Sequence, residues 1–160
     1  SNALTTDLQH YDLQIWPVSV LAPYKEIAAA QDRAFDTTLQ ATGEAIFDGD
    51  QLHQLLVILL DNAFKYTAAG DSIWVTTERQ TKTWTLTVGN SGPSIPDADK
   101  KRIFDRFYRM DPSRNRETGG SGLGLAIADW IVTNHHGHIR VTDIHPQGAA
   151  FVVTLPLSGK

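Results

Sequence analysis

The sequence has 160 residues, a length that fits one domain and that can bury a sizeable core without disulfides or a structural metal. It contains no cysteine, which excludes disulfides, thiolate zinc sites and cysteine nucleophiles. Its 14 basic and 18 acidic residues leave a net charge of −4, which argues against a nucleic-acid-binding surface. No apolar run approaches the ~20 residues that cross a bilayer, so we expect this part of the protein to lie outside the membrane.

The two ends of the chain are predicted to lie outside the folded domain. Residues 1–3, Ser-Asn-Ala, match a remnant of tag removal and are excluded from the fold. Residues 4–14 are of mixed character and are expected to lead in from an upstream segment. We therefore expect one domain over residues 15–157, a short tail over 158–160, and a parent protein longer than this chain.

Patterns of apolar residues in the first half predict two helices and two strands. Apolar residues at helical spacing predict a first helix over Pro17–Arg33. Short strands are predicted over Phe35–Leu39 and Ala45–Phe47. The strongest pattern predicts a helix over Gln51–Tyr66, with Asp48 or Asp50 as its N-cap. Its apolar residues form one wide face: Leu52, Leu55, Leu56, Leu59, Leu60 and Ala63.

The second half is predicted to alternate between strands and helices. A strand hairpin is predicted over 72–78 and 83–88, followed by a short helix over 97–104 and a flexible polar loop over 109–121. A further helix is predicted over 122–136, and a closing pair of strands over 138–143 and 149–155. Together these elements predict an α/β fold, a two-layer sandwich in which helices pack on one face of a mixed β-sheet.

A glycine-rich run, Gly-Gly-Ser-Gly-Leu-Gly-Leu over residues 119–125, comes directly before the last predicted helix. Glycines let the backbone approach an anion closely, and the following helix offers unpaired N–H groups at the positive end of its dipole. Loops and linkers are also rich in glycine, so the run alone is compatible with a phosphate site or with a plain connection.

Four segments, in this order and spacing, resemble the ATP-binding catalytic domain of bacterial sensor histidine kinases: Leu59–Thr67, Asn90–Pro96, Ile103–Arg109 and Thr118–Leu125. That family belongs to a superfamily shared with type II topoisomerases and Hsp-type chaperone ATPases. The resemblance runs from about residue 15 to residue 157. It implies a Bergerat-type fold that binds ATP and Mg, and it implies as partners the dimerisation domain of the same protein and a response regulator.

The resemblance also implies which residues bind ATP: Asn62, Lys65, Tyr66, Asn90, Gly92, Ile95, Arg116, Gly120, Ser121, Gly122, Leu123, Gly124 and Leu125. The amide oxygen of Asn62 is a hard neutral ligand suited to Mg, although asparagine is also ordinary at a helix end. Lys65 would reach phosphate as a point charge or remain solvated. Tyr66 would line the nucleotide pocket or lie at the edge of the core with its hydroxyl in water.

A lid is expected beside these residues. Phe104, Phe107 and Tyr108 resemble the aromatic anchor beneath such a lid, and a plain core role is the alternative. Arg116, more than Arg114, is expected to bind phosphate through its planar guanidinium.

Four residues depart from the family pattern. Asn90 replaces an aspartate that accepts the adenine amino proton; an amide still offers an acceptor beside a donor, so adenine binding is expected to persist. Ser94 replaces a second glycine, and Ala149 replaces a hydroxyl residue near the base. Ile58 stands where ATPases of the superfamily carry a glutamate that activates water, so we expect little ATP hydrolysis.

None of the six histidines has the sequence context of a phosphoacceptor, so the resemblance implies that the acceptor lies upstream, in a parent protein anchored in the membrane with this domain in the cytoplasm. His135, His136 and His138 suggest a metal site only weakly, and a helix end with Gly137 as its C-cap is the plainer interpretation. Two alternatives to the kinase domain are a degenerate scaffold domain, motivated by the four departures, and a stand-alone ATPase or serine kinase.

Overall fold

A computed structural model describes residues 5–109 and 122–160. The elements of these residues are, in chain order, β1 (Leu8–Asp12), α1 (Trp16–Ala30), β2 (Ala34–Leu39), β3 (Glu44–Asp48), α2 (Gly49–Lys65), β4 (Ser72–Arg79), β5 (Thr83–Asn90), two 3-10 turns (Asp97–Asp99 and Arg102–Phe104), α3 (Gly124–Asn134), β6 (His138–Asp143) and β7 (Ala149–Pro156). Five strands form a sheet in the order β2-β4-β5-β7-β6, in which β2 is parallel to β4 and the other pairs are antiparallel. The helices pack on one face of this mixed sheet, so the predicted two-layer α/β architecture is confirmed.

Helix α2 positions the centre of the domain. The Asp48 carboxylate accepts a hydrogen bond from the Gln51 N–H at 3.0 Å and caps the helix, as the sequence predicts. Its apolar face is fully buried: Leu52, Leu55, Leu56, Leu59 and Leu60 have no exposed surface. Each buried leucine contributes roughly 1.5–3 kcal/mol relative to an exposed one, so this face orients the whole helix.

One strand and the form of one helix differ from the predictions made from the sequence. No strand is predicted before residue 17, yet β1 pairs antiparallel with β3, and Leu13 directly after it is 0% exposed. The five residues of β1 are exposed or half-buried, so no alternation of buried and exposed positions marks them. The helix predicted over 97–104 is wrong in type, since the two 3-10 turns occupy that segment.

The C-terminal end of α3 also differs from the prediction. The helix ends at Asn134, and the left-handed residue that follows is His136, with φ of 61°, not Gly137. The His136 N–H reaches the Thr133 carbonyl and the Gly137 N–H reaches the Val132 carbonyl at 3.0 Å, the pattern of a Schellman motif. Gly137 is required for another reason: a β-carbon there would lie 2.3 Å from the Thr154 carbonyl oxygen.

Candidate functional site

A cavity of about 300 Å³ opens beside the C-terminal end of α2, within the size range of small-molecule sites. Its lining residues come from α2, the end of β5 and the loop after it, the 3-10 turns, α3 and β7: Asn62, Tyr66, Asn90, Pro93, Ser94, Ile95, Pro96, Asp99, Ile103, Tyr108, Arg109, Leu125, Ala149 and Phe151. Segments that are far apart in the sequence therefore meet around one cavity.

Several predicted site residues line this cavity together: Asn62, Tyr66, Asn90, Ile95, Tyr108 and Leu125. Five further lining residues are not predicted from the sequence: Pro93, Pro96, Asp99, Ile103 and Phe151. The alternation of a strand could have predicted Phe151, because it lies two residues after Ala149 on the same strand. The two side chains therefore share one face of the sheet. The others lie in loop or 3-10 segments, where periodicity carries no such signal.

Asn90 ends β5 and is only 4% exposed. Its side-chain Oδ1 accepts a hydrogen bond from the Gly92 N–H at 2.8 Å, which fixes the orientation of the amide because only the oxygen can accept. A β-carbon at Gly92 would lie 2.3 Å from the Tyr66 carbonyl oxygen, so the loop touches the end of α2 through bare backbone. The Asn90 amide is therefore held by the backbone of this loop at the cavity wall.

The C-terminal end of α2 presents Asn62 and Tyr66 to the cavity, whereas Lys65 is exposed and does not line it. Arg33 holds this end of the helix in place. One of its guanidinium nitrogens donates to the Phe64 carbonyl at 2.6 Å and to the Thr67 hydroxyl at 2.8 Å. These bonds satisfy a carbonyl that the helix leaves unpaired at its end.

The described part of the glycine segment lies beside the cavity. Gly122 has φ of 79°, and its carbonyl accepts a hydrogen bond from the Phe107 N–H at 2.8 Å. Gly124 begins α3, and a β-carbon there would meet only the Ile58 side chain, at 3.6 Å. Leu123 is the residue before the helix, without a side-chain cap. Arg114, Arg116, Gly120 and Ser121 lie outside the described residues.

The three expected lid-anchor residues have different surroundings. Phe104 packs edge-on against Phe151, with ring centroids 6.1 Å apart. Tyr108 lines the cavity and donates its hydroxyl hydrogen to Asp99, a bond that raises the pKa of the tyrosine. The Phe107 ring is 63% exposed, and this residue meets Gly122 through its backbone.

Lys100 joins the 3-10 turns to the sheet. Its ammonium contacts Asp143 at the end of β6 at 2.8 Å and also contacts Asp97. These hydrogen bonds, the one to Asp143 above all, raise the pKa of Lys100. The wall of the cavity that contains Asp99 and Ile103 is thereby tied to strand β6.

His135 is 2% exposed and has both ring nitrogens bonded inside the protein. Nδ1 donates to the Ile131 carbonyl at 2.8 Å, and Nε2 accepts from the Asp48 N–H at 3.0 Å. Burial lowers the pKa of this imidazole, which fits the neutral tautomer that the two bonds require. His135 is therefore a structural residue with no nitrogen left for a metal.

Within residues 5–109 and 122–160, no helix combines the length and apolar character that a bilayer crossing requires.

Comparison with known proteins identifies relatives over most of the chain. Residues 47–159 match the family described as Histidine kinase-, DNA gyrase B-, and HSP90-like ATPase. The signal transduction histidine-protein kinase BaeS of Escherichia coli (strain K12) is 43% identical over 110 residues, which are 69% of this chain and 24% of BaeS. The chain thus spans about a quarter of the length of this relative.

Solved structures agree with the sequence match. The catalytic domain of histidine kinase ThkA superposes with a TM-score of 0.85 at 25% identity, covering 96% of this chain and 97% of that one. A structure of ThkA in complex with the response regulator protein TrrA superposes with a TM-score of 0.82 at 23% identity, covering 96% of this chain and 43% of that one; this second likeness concerns the fold alone.

Proposed function

This chain belongs to the family of histidine kinase-, DNA gyrase B- and HSP90-like ATPases, and we propose that it is the Mg-ATP-binding catalytic domain of a sensor histidine kinase. One observation carries the proposal. Asn62, Asn90 and Leu125, from three separate motif segments, line the same cavity of about 300 Å³.

The base of ATP is proposed to lie against Asn90 and the apolar residues around it. Ile95, Leu125 and Phe151 offer apolar surface for a purine, and the buried Asn90 amide offers its hydrogen-bonding edge. Gly92 lets the loop backbone lie close to Tyr66.

Asn62 is proposed to hold Mg. Its side chain lines the cavity and makes no hydrogen bond to the described residues, so its amide oxygen remains available as a ligand. One amide oxygen suits Mg, which keeps several waters and binds substrate phosphates. When bound, the ion would neutralise charge on the phosphates.

The glycine segment is proposed to bind the phosphates. Gly122, Leu123 and Gly124 lead into the N-terminal end of α3, whose first N–H groups have no helical partners. We also propose phosphate-binding roles for Gly120, Ser121, Arg116 and Lys65. The proposed lid anchor consists of Phe104, Phe107 and Tyr108.

The proposed reaction transfers the γ-phosphate of ATP to a histidine nitrogen on the dimerisation domain, with ADP as the leaving group. The protein positions the nucleotide and neutralises charge, which is what phosphoryl transfer needs. We propose a response regulator as the next partner; the support is the 25% identity to the catalytic domain of ThkA, a kinase whose structure in complex with the response regulator protein TrrA is known. The parent is proposed to be a membrane-anchored sensor with this domain in the cytoplasm.

The comparisons give no support to the degenerate scaffold alternative. A stand-alone ATPase is disfavoured by Ile58, which lies beside Gly124 and can neither accept a proton nor hold a metal-bound water. A serine kinase is disfavoured by the segment Phe104–Arg109, which resembles sensor kinases more than serine-kinase relatives.

Isothermal titration of ATP, with and without Mg, tests the proposal. We expect binding that depends on Mg and that weakens at least about tenfold in Asn62→Ala, because the ion loses a protein ligand. Gln54→Ala is the matched control, since Gln54 is an exposed residue on the same helix and does not line the cavity. The proposal fails if wild type does not bind Mg-ATP at millimolar concentration, or if both variants lose binding equally.

A further inference from the structure

The buried hydrogen-bonding group at the base end of the cavity is an amide. We infer that this site discriminates weakly between adenine and guanine, so that it accepts GTP as well as ATP, and that Asn90 is the residue responsible. The inference rests on the proposed nucleotide-binding function and goes beyond it by naming the range of nucleotides.

The orientation of the Asn90 amide leaves both kinds of hydrogen-bonding group available. Oδ1 accepts one hydrogen bond, from the Gly92 N–H at 2.8 Å, and an amide oxygen has a second acceptor position. Nδ2 has no hydrogen bond to the described residues, and its two hydrogens are donors. Because Asn90 lines the cavity, its amide can offer a ligand the Nδ2 donor and the remaining acceptor position of Oδ1.

Three further described residues line the cavity with Asn90 and bear on the choice between the purines. Ala149 is the strand partner of Asn90 in the β5–β7 register and offers only a methyl group. Ser94 accepts from the Gly148 N–H at 3.1 Å, and its hydroxyl can still donate to a ligand. Asp99 is the one carboxylate among the described lining residues, and it accepts the hydroxyl hydrogen of Tyr108.

The two purines differ in the groups that such a site meets. Adenine presents an amino donor beside the N1 acceptor, whereas guanine presents the O6 acceptor beside the N1–H donor. A buried carboxylate can only accept, so it pairs with the adenine amine and opposes a second acceptor when guanine O6 takes the place of that amine. Mismatched buried polar groups are what give large discrimination between ligands. An amide can donate to O6 and accept from N1–H, so this source of discrimination is missing here.

Titration of Mg-GTP and Mg-ATP into the wild-type protein tests the inference directly. We expect the two dissociation constants to agree within about tenfold, since one neutral hydrogen bond separates the purines by no more than that. In Asn90→Asp we expect GTP to weaken at least about tenfold relative to ATP, because a carboxylate repels O6.

Gln147→Glu is the matched control for the added charge. Gln147 is exposed and donates to the Ser91 carbonyl at 3.3 Å, close to the same loop, but it does not line the cavity. This variant makes the same change from amide to acid, and we expect it to leave the ratio of GTP to ATP affinity unchanged. Thermal denaturation of each variant shows whether it is folded.

Each outcome decides the inference. A wild-type preference for ATP above about tenfold overturns it while leaving the proposed function intact. Equal changes of the ratio in Asn90→Asp and Gln147→Glu overturn the role of Asn90. Binding of neither nucleotide by wild type overturns this inference together with the proposed function. The wild-type ratio is decisive even if Asn90→Asp does not fold.

Discussion

The imidazole of His135, at the C-terminal end of α3, accepts a hydrogen bond at 3.0 Å from the backbone N–H of Asp48, the N-cap of α2. The two residues are 87 positions apart in the sequence. The bond ties the end of one helix to the start of the other, and both helices contribute residues to the candidate site. Because the bond requires an unprotonated Nε2, the contact depends on the protonation state of His135.

We expect the protein to lose stability as the pH falls below about 6.5, the pKa of an unperturbed histidine. Burial lowers the pKa of His135 in the folded state. Between the folded and unfolded pKa values, the unfolded chain takes up a proton that the folded chain does not. The free energy of unfolding therefore falls with decreasing pH, by up to about 1.4 kcal/mol per pH unit from this residue.

Urea denaturation between about pH 5 and about pH 8 measures this dependence. In His135→Gln the pH slope below about 6.5 should be smaller, although the variant is less stable overall because it loses a buried, hydrogen-bonded side chain. His138→Gln is the control, because His138 is exposed. An undiminished slope in His135→Gln would show that another group titrates.

Gly92→Ala is expected to damage the nucleotide site. A β-carbon at this position would lie 2.3 Å from the Tyr66 carbonyl oxygen and 2.9 Å from the Asn90 Oδ1. The loop must therefore move away from α2, at a cost of about 1–3 kcal/mol in stability. We expect ATP affinity to fall at least about tenfold, since the Asn90 amide loses its backbone support. Unchanged affinity by calorimetry would mean that the loop does not position the base.

Gly124→Ala is expected to separate nucleotide binding from folding. A β-carbon there would make only an ordinary contact with Ile58, at 3.6 Å, and Gly124 begins a helix. We expect stability to be unchanged or to rise by up to about 1 kcal/mol, because alanine favours the helical state. ATP binding should weaken if phosphate approaches the bare backbone of the glycine segment.

The comparison of Gly124→Ala with Gly92→Ala distinguishes an effect on ATP affinity from an effect on stability, since both variants add one methyl group beside the same cavity. Thermal denaturation and ATP titration of each variant give the two readouts. A Gly124→Ala protein that binds ATP as well as wild type would contradict a close approach of phosphate at this residue.

We expect the protein to bind Mg-ATP without hydrolysing it appreciably, at a rate well below the ~1 per second at the lower end of typical enzyme turnover. Ile58 lies beside Gly124, and an isoleucine cannot activate water. Phosphate release from the purified protein measures the rate. Ile58→Glu should raise turnover above that of Ile58→Gln, which is similar in size and polarity but cannot accept a proton. Rapid turnover by wild type would instead support the ATPase alternative.

Local sequence patterns predict the long elements correctly because they depend on short-range geometry. The leucines of α2 repeat at helical spacing, and β4 and β5 alternate in burial, so the sequence predicts each element to within two residues. Strand β1 has no such pattern, since its residues are held by pairing with β3 and not by burial of one face. The sequence at 97–104 contains helix formers, but only the packing around Ile103 and the Lys100 contacts decide that it forms two 3-10 turns.

By itself the sequence determined the mixed α/β fold and the family, because periodicity and motif spacing are properties of the linear chain. It also predicted which segments contribute residues to the candidate site. Only the tertiary structure decided how they meet: that Asn90 turns its oxygen to Gly92, that Phe151 and Pro93 complete the cavity, and that His135 reaches Asp48. These contacts join residues from different elements or depend on the exact path of a loop, and they follow from how the sheet and helices pack rather than from any local pattern.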